Sequence, residues 1–257
     1  MRRLSLPYAL AAGFYVVSCA LQAASAQEAV RGIFVTPIPY QPLTAVVTVQ
    51  RTMVLPNKTV ISSHTTHLIA RNAQGEIYNE NRGYAPDNFI GLPPLLAVHI
   101  YDPQTRLNTF LYPNTMTGTQ RRFPGPPASV PPDFYAVPNA AAVTRQNEFA
   151  KEEDLGWQKM LGLSVHGVRE TQVVPAEFSG TGQEVAITDE YWYSQDVRLN
   201  LLVKHSDPRS ETTVQTVTTL KQGEPEASLF VVSSDYKLNG MGMRMPGAAA
   251  MSVPTSR

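Results

Sequence analysis

The segment from Gln183 to Val232 constrains the fold most strongly, because strand-like runs alternate with tight turns along it. Apolar and polar side chains alternate from Val197 to Lys204, the period of a strand with one buried face. Residues 194–196 and 206–209 have the composition of tight turns. Each strand therefore returns beside the one before it, and the segment predicts an antiparallel meander.

The first half of the chain shows the same pattern. Leu43–Gln50 alternates, Thr59–Ala70 is rich in β-branched residues, and Leu95–Tyr101 and Arg106–Tyr112 flank an Asp-Pro turn. We predict a mainly β protein with a single domain over residues 43–238. Its architecture is one large curved antiparallel sheet, a half-barrel-like meander of about ten strands, with at most one or two short helices.

Several segments are predicted to lie outside the strands. Residues 27–42 form an extended, proline-containing lead-in, and residues 239–257 are expected to be a disordered tail. Seven prolines between Pro113 and Pro138 predict a loop that interrupts the sheet. Ala140–Glu153 is predicted as a short helix, and residues 165–167 as a turn between two later strands.

The first 26 residues have the pattern of an export signal. Two arginines precede an uncharged apolar run, and Ala24-Ser25-Ala26 is an Ala-x-Ala cleavage site. We expect export to the periplasm or beyond, with no membrane span once this signal is removed. Cys19, the single cysteine, leaves two interpretations open: cleavage after Ala26 removes it, whereas a lipobox before it would lipidate it and anchor the protein.

Charge and motif content argue against several classes of function. Lysine plus arginine number 21, as do aspartate plus glutamate, so the charge balance predicts no nucleic-acid partner. The sequence contains no Gly-x-Ser-x-Gly motif and no glycine-rich phosphate loop. We therefore predict no catalytic residues, no cofactor and no metal, and a protein that is not an enzyme.

The positions of histidines and carboxylates in the sequence predict no catalytic or metal site. His64 and His67 are three apart on a predicted strand, so they point to opposite faces. Asp189 and Glu190 are neighbours on a strand and are separated in the same way. His99 and His205 each precede an Asp-Pro turn, which favours a structural role.

Two aromatic groups are candidates for ligand binding. Tyr191, Trp192 and Tyr193 offer large apolar area with polar groups, although core packing of a central strand is the favoured interpretation. Arg121, Arg122 and Phe123 could contact a lipid headgroup or a polysaccharide, although a solvated loop is the favoured interpretation.

The second half resembles a group of uncharacterised secreted bacterial proteins. The resemblance is carried by Gly167-Val168-Arg169-Glu170-Thr171, by Glu190-Tyr191-Trp192-Tyr193-Ser194, and by the closing Ser228-Leu229-Phe230. In fold, this group is distantly similar to the periplasmic lipoprotein carriers and sigma-factor regulators (LolA/RseB-like proteins). That resemblance implies a convex sheet sheltering an apolar cleft, although several plug helices of that fold have no counterpart here.

The sequence therefore favours a non-enzymatic cell-envelope protein. Its first hypothetical ligand is a lipid, a lipoprotein acyl chain or another amphiphile, bound on the concave face of the sheet. An alternative is a structural or protein-interaction module that contacts an envelope partner through the proline-rich loop. A hydrolase is a remote alternative, and it would require histidine and carboxylate groups to meet in one cleft.

Overall fold

The computed structural model describes residues 32–55, 57–124 and 150–240, and these are mostly strand. The leader with Cys19, residues 125–149 and residues 241–257 lie outside the described residues.

The mainly β class is confirmed, and the described residues form thirteen strands instead of about ten. In chain order the strands are β1 (Leu43–Val54), β2 (Val60–Arg71), β3 (Ile77–Arg82), β4 (Ala85–Pro86), β5 (Leu95–Asp102), β6 (Leu107–Tyr112), β7 (Thr117–Arg122), β8 (Ala150–Met160), β9 (Leu163–Val174), β10 (Val185–Ser194), β11 (Leu199–Ser206), β12 (Glu211–Gln222) and β13 (Lys237–Gly240). Two short helices accompany them, α1 (Ala176–Ser179) and a 3-10 helix (Ala227–Phe230).

All strands belong to one sheet, in the order β13-β7-β6-β5-β3-β2-β1-β12-β11-β10-β9-β8, with β4 paired to β2 outside this path. The pairs are antiparallel except for β13 beside β7. Strand β1 lies between β2 and β12, so it joins a meander from each half of the chain. Central β1 therefore receives hydrogen bonds along both of its sides.

The predicted proline-rich loop proves wrong at its start. Residues 117–122 form β7, which pairs with β6 from Leu107↔Arg122 to Tyr112↔Thr117. The physical reason is local: no proline occurs between Pro113 and Pro124, and Met116 takes a positive φ of 49° that closes the turn. The predicted tail is wrong at its start as well, because residues 239 and 240 belong to β13.

The region around β8 and β9 also differs from expectation. Residues 150–153, predicted as the end of a helix, begin β8, where Glu153 pairs with Arg169 across the sheet. The turn falls at Leu161 and Gly162, both at positive φ, and not at residues 165–167. Gly167 instead lies inside β9 and directly opposite Trp192.

One face of the sheet carries most of the core, and we name it the Val47 face after the buried β1 side chains Leu43, Ala45, Val47 and Val49. Residues 32–38 lie across this face. The Ile33 amide donates to Gln215 Oε1 of β12 at 3.0 Å, and the Val35 amide donates to Asn79 Oδ1 of β3 at 3.2 Å. Ile33 and Val35 are buried in the same apolar cluster as Val47. The centre of the face is therefore filled by the chain's own lead-in segment.

Arg71 fixes one end of the Val47 face. This side chain is fully buried, and its guanidinium donates to the carbonyl oxygens of Gln41 (2.8 Å), Thr36 (3.2 Å) and Val197 (2.8 Å). Burial lowers the pKa of Arg71 to about 10. Because β2 and β11 are roughly 14 Å apart in a flat sheet, contact with Val197 requires the sheet and the β10–β11 turn to close towards this face.

The opposite face is named the Trp192 face after its largest buried aromatic residue. On the half of the sheet formed by β2 to β7, it is covered by the 3-10 helix and the chain that follows it. This second cluster consists of Ala70, Tyr78, Val98, Ile100 and Leu111 with Leu229, Phe230, Val232 and Tyr236 against them. Each face of the sheet is thus covered by one of the flanking segments of the chain.

The two margins of the sheet are not alike. Within the described residues, β8 pairs only with β9, and it presents mostly exposed polar side chains with a bulge between Asp154 and Gly156. At the other margin, β13 has only four residues. Among the described residues, no helix combines the length and apolar character needed to cross a bilayer.

Candidate ligand-binding site

A pocket of about 200 Å³ opens on the Val47 face where β11 ends and β12 begins. Its lining consists of Tyr84, Val203, His205, Glu211, Thr213 and Gln215. Strand β11 supplies Val203 and His205, and β12 supplies Glu211, Thr213 and Gln215. Each set shares a face because residues two apart on a strand point the same way. The register places Val203 opposite Gln215 and His205 opposite Thr213.

A carboxylate behind the pocket orients its imidazole. Asp189 on β10 lies directly opposite His205, and Asp189 Oδ1 is 2.8 Å from His205 Nδ1. Both side chains are only 12% exposed. His205 Nε2 has no hydrogen-bond partner within the part of the chain that the structure describes. Asp189 therefore fixes the orientation of the His205 ring and leaves Nε2 able to bind a ligand.

Two further polar side chains of the pocket are held in the same way. Gln215 Oε1 accepts from the Ile33 amide, which leaves its amide nitrogen as a donor. Glu211 forms an ion pair with Arg51, whose guanidinium lies 5.5 Å from the centre of the Tyr84 ring. Arg51 thereby balances the charge of this carboxylate.

An exposed apolar surface borders the pocket, and we name it the apolar rim. Tyr84 belongs to both, and the rim continues along the loop that follows it. Strand β4 holds this loop against β2 through the pairs Ser63↔Pro86 and His64↔Ala85, beside the β1–β2 hairpin. The exposed members and their exposed fractions are Ile61 45%, Tyr84 47%, Phe89 43%, Ile90 96% and Leu92 66%. Large exposed apolar side chains that occur together in one loop and its neighbouring hairpin are candidates for binding.

A second pocket, of about 210 Å³, lies at the other end of the Val47 face. It is lined by Tyr40, Gln41, Pro42, Leu43, Asp196, Val197, Gln222 and Gly223. No comparable group of exposed apolar side chains borders it among the described residues, since Tyr40 alone of its lining is a large exposed hydrophobic. The first pocket is therefore the better candidate.

The aromatic run predicted as a ligand contact is buried. Tyr191, Trp192 and Tyr193 are 4%, 9% and 2% exposed, and the first two belong to the central core cluster. Trp192 covers Gly167 on the neighbouring strand, where a Cβ atom would come within 2.6 Å of the indole ring. These positions agree with the core-packing interpretation of the run.

Glu190 organises a charged cluster on the Trp192 face. It accepts hydrogen bonds from the Trp192 indole at 2.7 Å, from Lys204 at 2.8 Å and from Arg169 at 2.9 Å. Partial burial opposes ionisation of this carboxyl, but these hydrogen bonds outweigh burial and lower the pKa of Glu190 to about 2. Asp189 meets His205 on the other face, as the alternation of the strand predicts.

Arg121, Arg122 and Phe123 lie at the end of β7, near one margin of the sheet. The Arg121 guanidinium is 5.9 Å from the centre of the Phe123 ring, which is 37% exposed. Seven strands separate β7 from β10 in the sheet order. The structure therefore does not bring these three residues together with the buried aromatic run.

The other histidines have separate local partners. His64 and His67 face opposite sides of β2, opposite Gln50 and Val47 respectively. The His99 ring stacks on the Phe110 ring with 4.5 Å between their centres, and the His166 ring stacks on the Trp157 ring with 4.8 Å between their centres. Within the described residues, no three His, Cys, Asp or Glu side chains gather as metal ligands would.

Sequence reasoning missed the Asp189–His205 pair. Each residue was considered alone, and the two are brought together only by the register between β10 and β11. The available signal was the distance of each residue from the turn at residues 195–198, combined with their matching faces. A bulge between Trp192 and Tyr193 shifts that register, so simple counting from the turn would have paired the wrong residues.

Comparison with known proteins gives similarity only among solved structures. No family model and no curated protein matches the chain. MucB is 9% identical, with a TM-score of 0.36 over 78% of this chain, which spans only 60% of MucB. A LolA superfamily protein from Nitrosomonas europaea is 10% identical, with a TM-score of 0.30 over 77% of this chain and 93% of its own.

The lipoprotein LppX from Mycobacterium tuberculosis is 11% identical, with a TM-score of 0.28 over 70% of this chain and 84% of its own. A LolA superfamily protein is therefore among the solved structures to which this chain is similar, and this similarity agrees with the resemblance named from the sequence. It concerns the fold alone, so the function is argued from this chain's own residues.

Proposed function

We propose that this protein is an exported, non-enzymatic binding protein of the cell envelope that holds a lipid, a lipoprotein acyl chain or a similar amphiphile. The observation that supports this most directly is the junction of the apolar rim with the polar pocket at Tyr84. An amphiphile has the same division between an apolar and a polar part. The export pattern at the start of the sequence agrees with an envelope location.

The geometry favours a ligand lying along the end of the Val47 face and not inside a sealed cavity. Both pockets hold about 200 Å³, below the usual 300–1,000 Å³ of small-molecule sites. Ile33 and Val35 fill the centre of the face. The apolar rim is therefore the surface available to an acyl chain at this end of the sheet.

A fluorescence assay with the apolar probe 1-anilinonaphthalene-8-sulfonate tests the rim. Ile90→Ser combined with Leu92→Ser removes two of its most exposed apolar side chains, and we expect a loss of most probe fluorescence. Val231→Ser is the matched control, because Val231 is 68% exposed but lies outside the rim.

Native mass spectrometry of protein purified from its own envelope provides the second test. We expect a bound lipid in the wild type and less of it in the rim variant. Equal probe binding by the rim variant and the control, together with protein that carries no lipid, would contradict the proposal.

A further inference from the structure

We infer that the pocket beside the apolar rim recognises an uncharged, hydroxyl-bearing group, such as the sugar or polyol head of an amphiphile. This inference rests on the proposed function for the apolar part of the ligand. It adds the chemistry of the polar part. The reasons lie in the hydrogen-bonding capacity that the pocket leaves unused.

The unused groups form a mixed set of donors and acceptors. When the imidazole of His205 is neutral, its Nδ1–H donates to Asp189, so Nε2 is an acceptor. Gln215 keeps its amide nitrogen as a donor, because its oxygen already accepts from Ile33. The hydroxyl groups of Thr213 and Tyr84 have no hydrogen-bond partner among the described residues, and each can donate or accept. Hydroxyl groups, which also donate and accept, complement such a set.

The charge of the site argues against an ionic ligand. Glu211 is the carboxylate of the lining, and Arg51 pairs with it. A bound anion would meet Glu211 and, behind His205, Asp189, whereas a bound cation would meet Arg51 behind Glu211. A neutral group avoids both repulsions. Tyr84, at the pocket mouth, adds an aromatic ring on which the apolar side of a sugar can pack.

Two of these groups are fixed before any ligand arrives. Asp189 holds the His205 ring, and the Ile33 amide holds the Gln215 side chain. Polar groups that are already oriented lose little conformational entropy on binding. This arrangement distinguishes the pocket from a chance gathering of polar side chains on an exposed strand.

The test compares three probes below their micelle-forming concentrations: n-octyl β-D-glucoside, n-octyl phosphate and n-octyltrimethylammonium. Binding is followed by calorimetry and by the NMR signals of the His205 ring. We expect the glucoside to bind most tightly and to shift the His205 signals. Thr213→Val should weaken glucoside binding by about fivefold, since one hydrogen bond is lost, and His205→Phe should weaken it further.

Thr219→Val is the matched control, because Thr219 lies on the same strand, is exposed and pairs with Val46 on the Trp192 face. It should bind the glucoside as the wild type does. Thermal unfolding confirms that each variant is folded. Tighter binding of the phosphate or of the ammonium probe would overturn the inference.

The outcomes also separate this inference from the proposed function. Unchanged glucoside affinity in Thr213→Val and His205→Phe, with lost affinity in the rim variant, would overturn the pocket inference and leave the proposed function standing. Failure of all three amphiphiles and of the fluorescent probe would overturn both.

Discussion

Gly167 shows how a single residue in the middle of a strand fixes the core above it. The Trp192 indole occupies the space that any side chain at this position would need. Sequence reasoning placed a turn here, because glycine beside a polar residue is typical of turns. The glycine is instead required by the close approach of an aromatic ring from the neighbouring strand.

Gly167→Ala should therefore destabilise the protein. The new Cβ atom would lie 2.6 Å from ring atoms of Trp192, so the indole must shift, at a cost of about 1–3 kcal/mol in the free energy of unfolding. Urea denaturation measures the change. Gly240→Ala is the control, because a Cβ atom there meets nothing within 4 Å. Equal effects of the two substitutions would contradict this account.

Glu190 should make stability depend on pH in the acid range. Its pKa is about 2 in the folded protein against an ordinary value of 4.5, so the folded state favours the ionised form. Its contribution is fully present above pH 4.5 and is lost as the pH falls towards 2. Allowing for solvent screening of its partners, the loss is about 1–2 kcal/mol.

Urea denaturation between pH 7 and pH 2.5 checks this expectation. Glu190→Gln should be less stable than the wild type at pH 7 and should lose less stability on acidification. Glu226→Gln removes an exposed carboxylate that has no ion pair among the described residues, and it should follow the wild-type profile. A wild-type profile in Glu190→Gln would show that the cluster does not stabilise the fold.

At the scale of elements, residues 32–38 act as a strap across the Val47 face. An extended segment was predicted here and residues 32–38 lie outside the strands, but nothing in their pattern indicated which face they would cover. The decisive contacts are with Gln215 and Asn79, which are distant in sequence. Such long-range contacts depend on the strand order, which local patterns do not specify.

Val35→Ala tests this strap. Val35 is fully buried in the central cluster, so loss of two methyl groups should lower the free energy of unfolding by about 2–3 kcal/mol. Val231→Ala, at a position that is 68% exposed, should change it by less than about 0.5 kcal/mol. Chemical denaturation of both variants gives the comparison. Similar values would mean that the strap is only loosely attached.

Elements were predictable where alternation was strong and turns were conventional. β1, β2, β5, β6, β11 and β12 follow the expected strands closely. β7 was missed because prolines on either side of it suggested a continuous loop. The start of β8 was missed because its charged residues suit an exposed helix and an edge strand equally well.

At the scale of the whole molecule, β1 joins the two meanders, and the pairing of β1 with β12 connects strands from the two halves of the chain. The turns between consecutive strands could predict each meander, but they could not predict that β1 pairs with β12. The candidate site depends on it, since Arg51 of β1 meets Glu211 of β12 beside the pocket.

Deletion of residues 113–138 should destabilise the sheet, although the sequence predicted a loop throughout this segment. That deletion removes β7 together with its pairing to β6 and β13. Deletion of residues 127–138 begins beyond β7 and should reduce the thermal unfolding temperature far less. The shorter deletion is therefore the proper variant for testing the interaction hypothesis. Equal losses in the two variants would contradict the role assigned to β7.

The contrast between the two margins has a consequence for how the protein behaves in a crowded compartment. A row of unpaired amides invites a second molecule to add its own strand, and repeated addition would build a polymer. Along β8, the bulge between Asp154 and Gly156 breaks the row of amides, and charged side chains flank it. The short β13 offers too little length for templating. Within the described residues, both margins of this open sheet therefore disfavour the addition of a further strand.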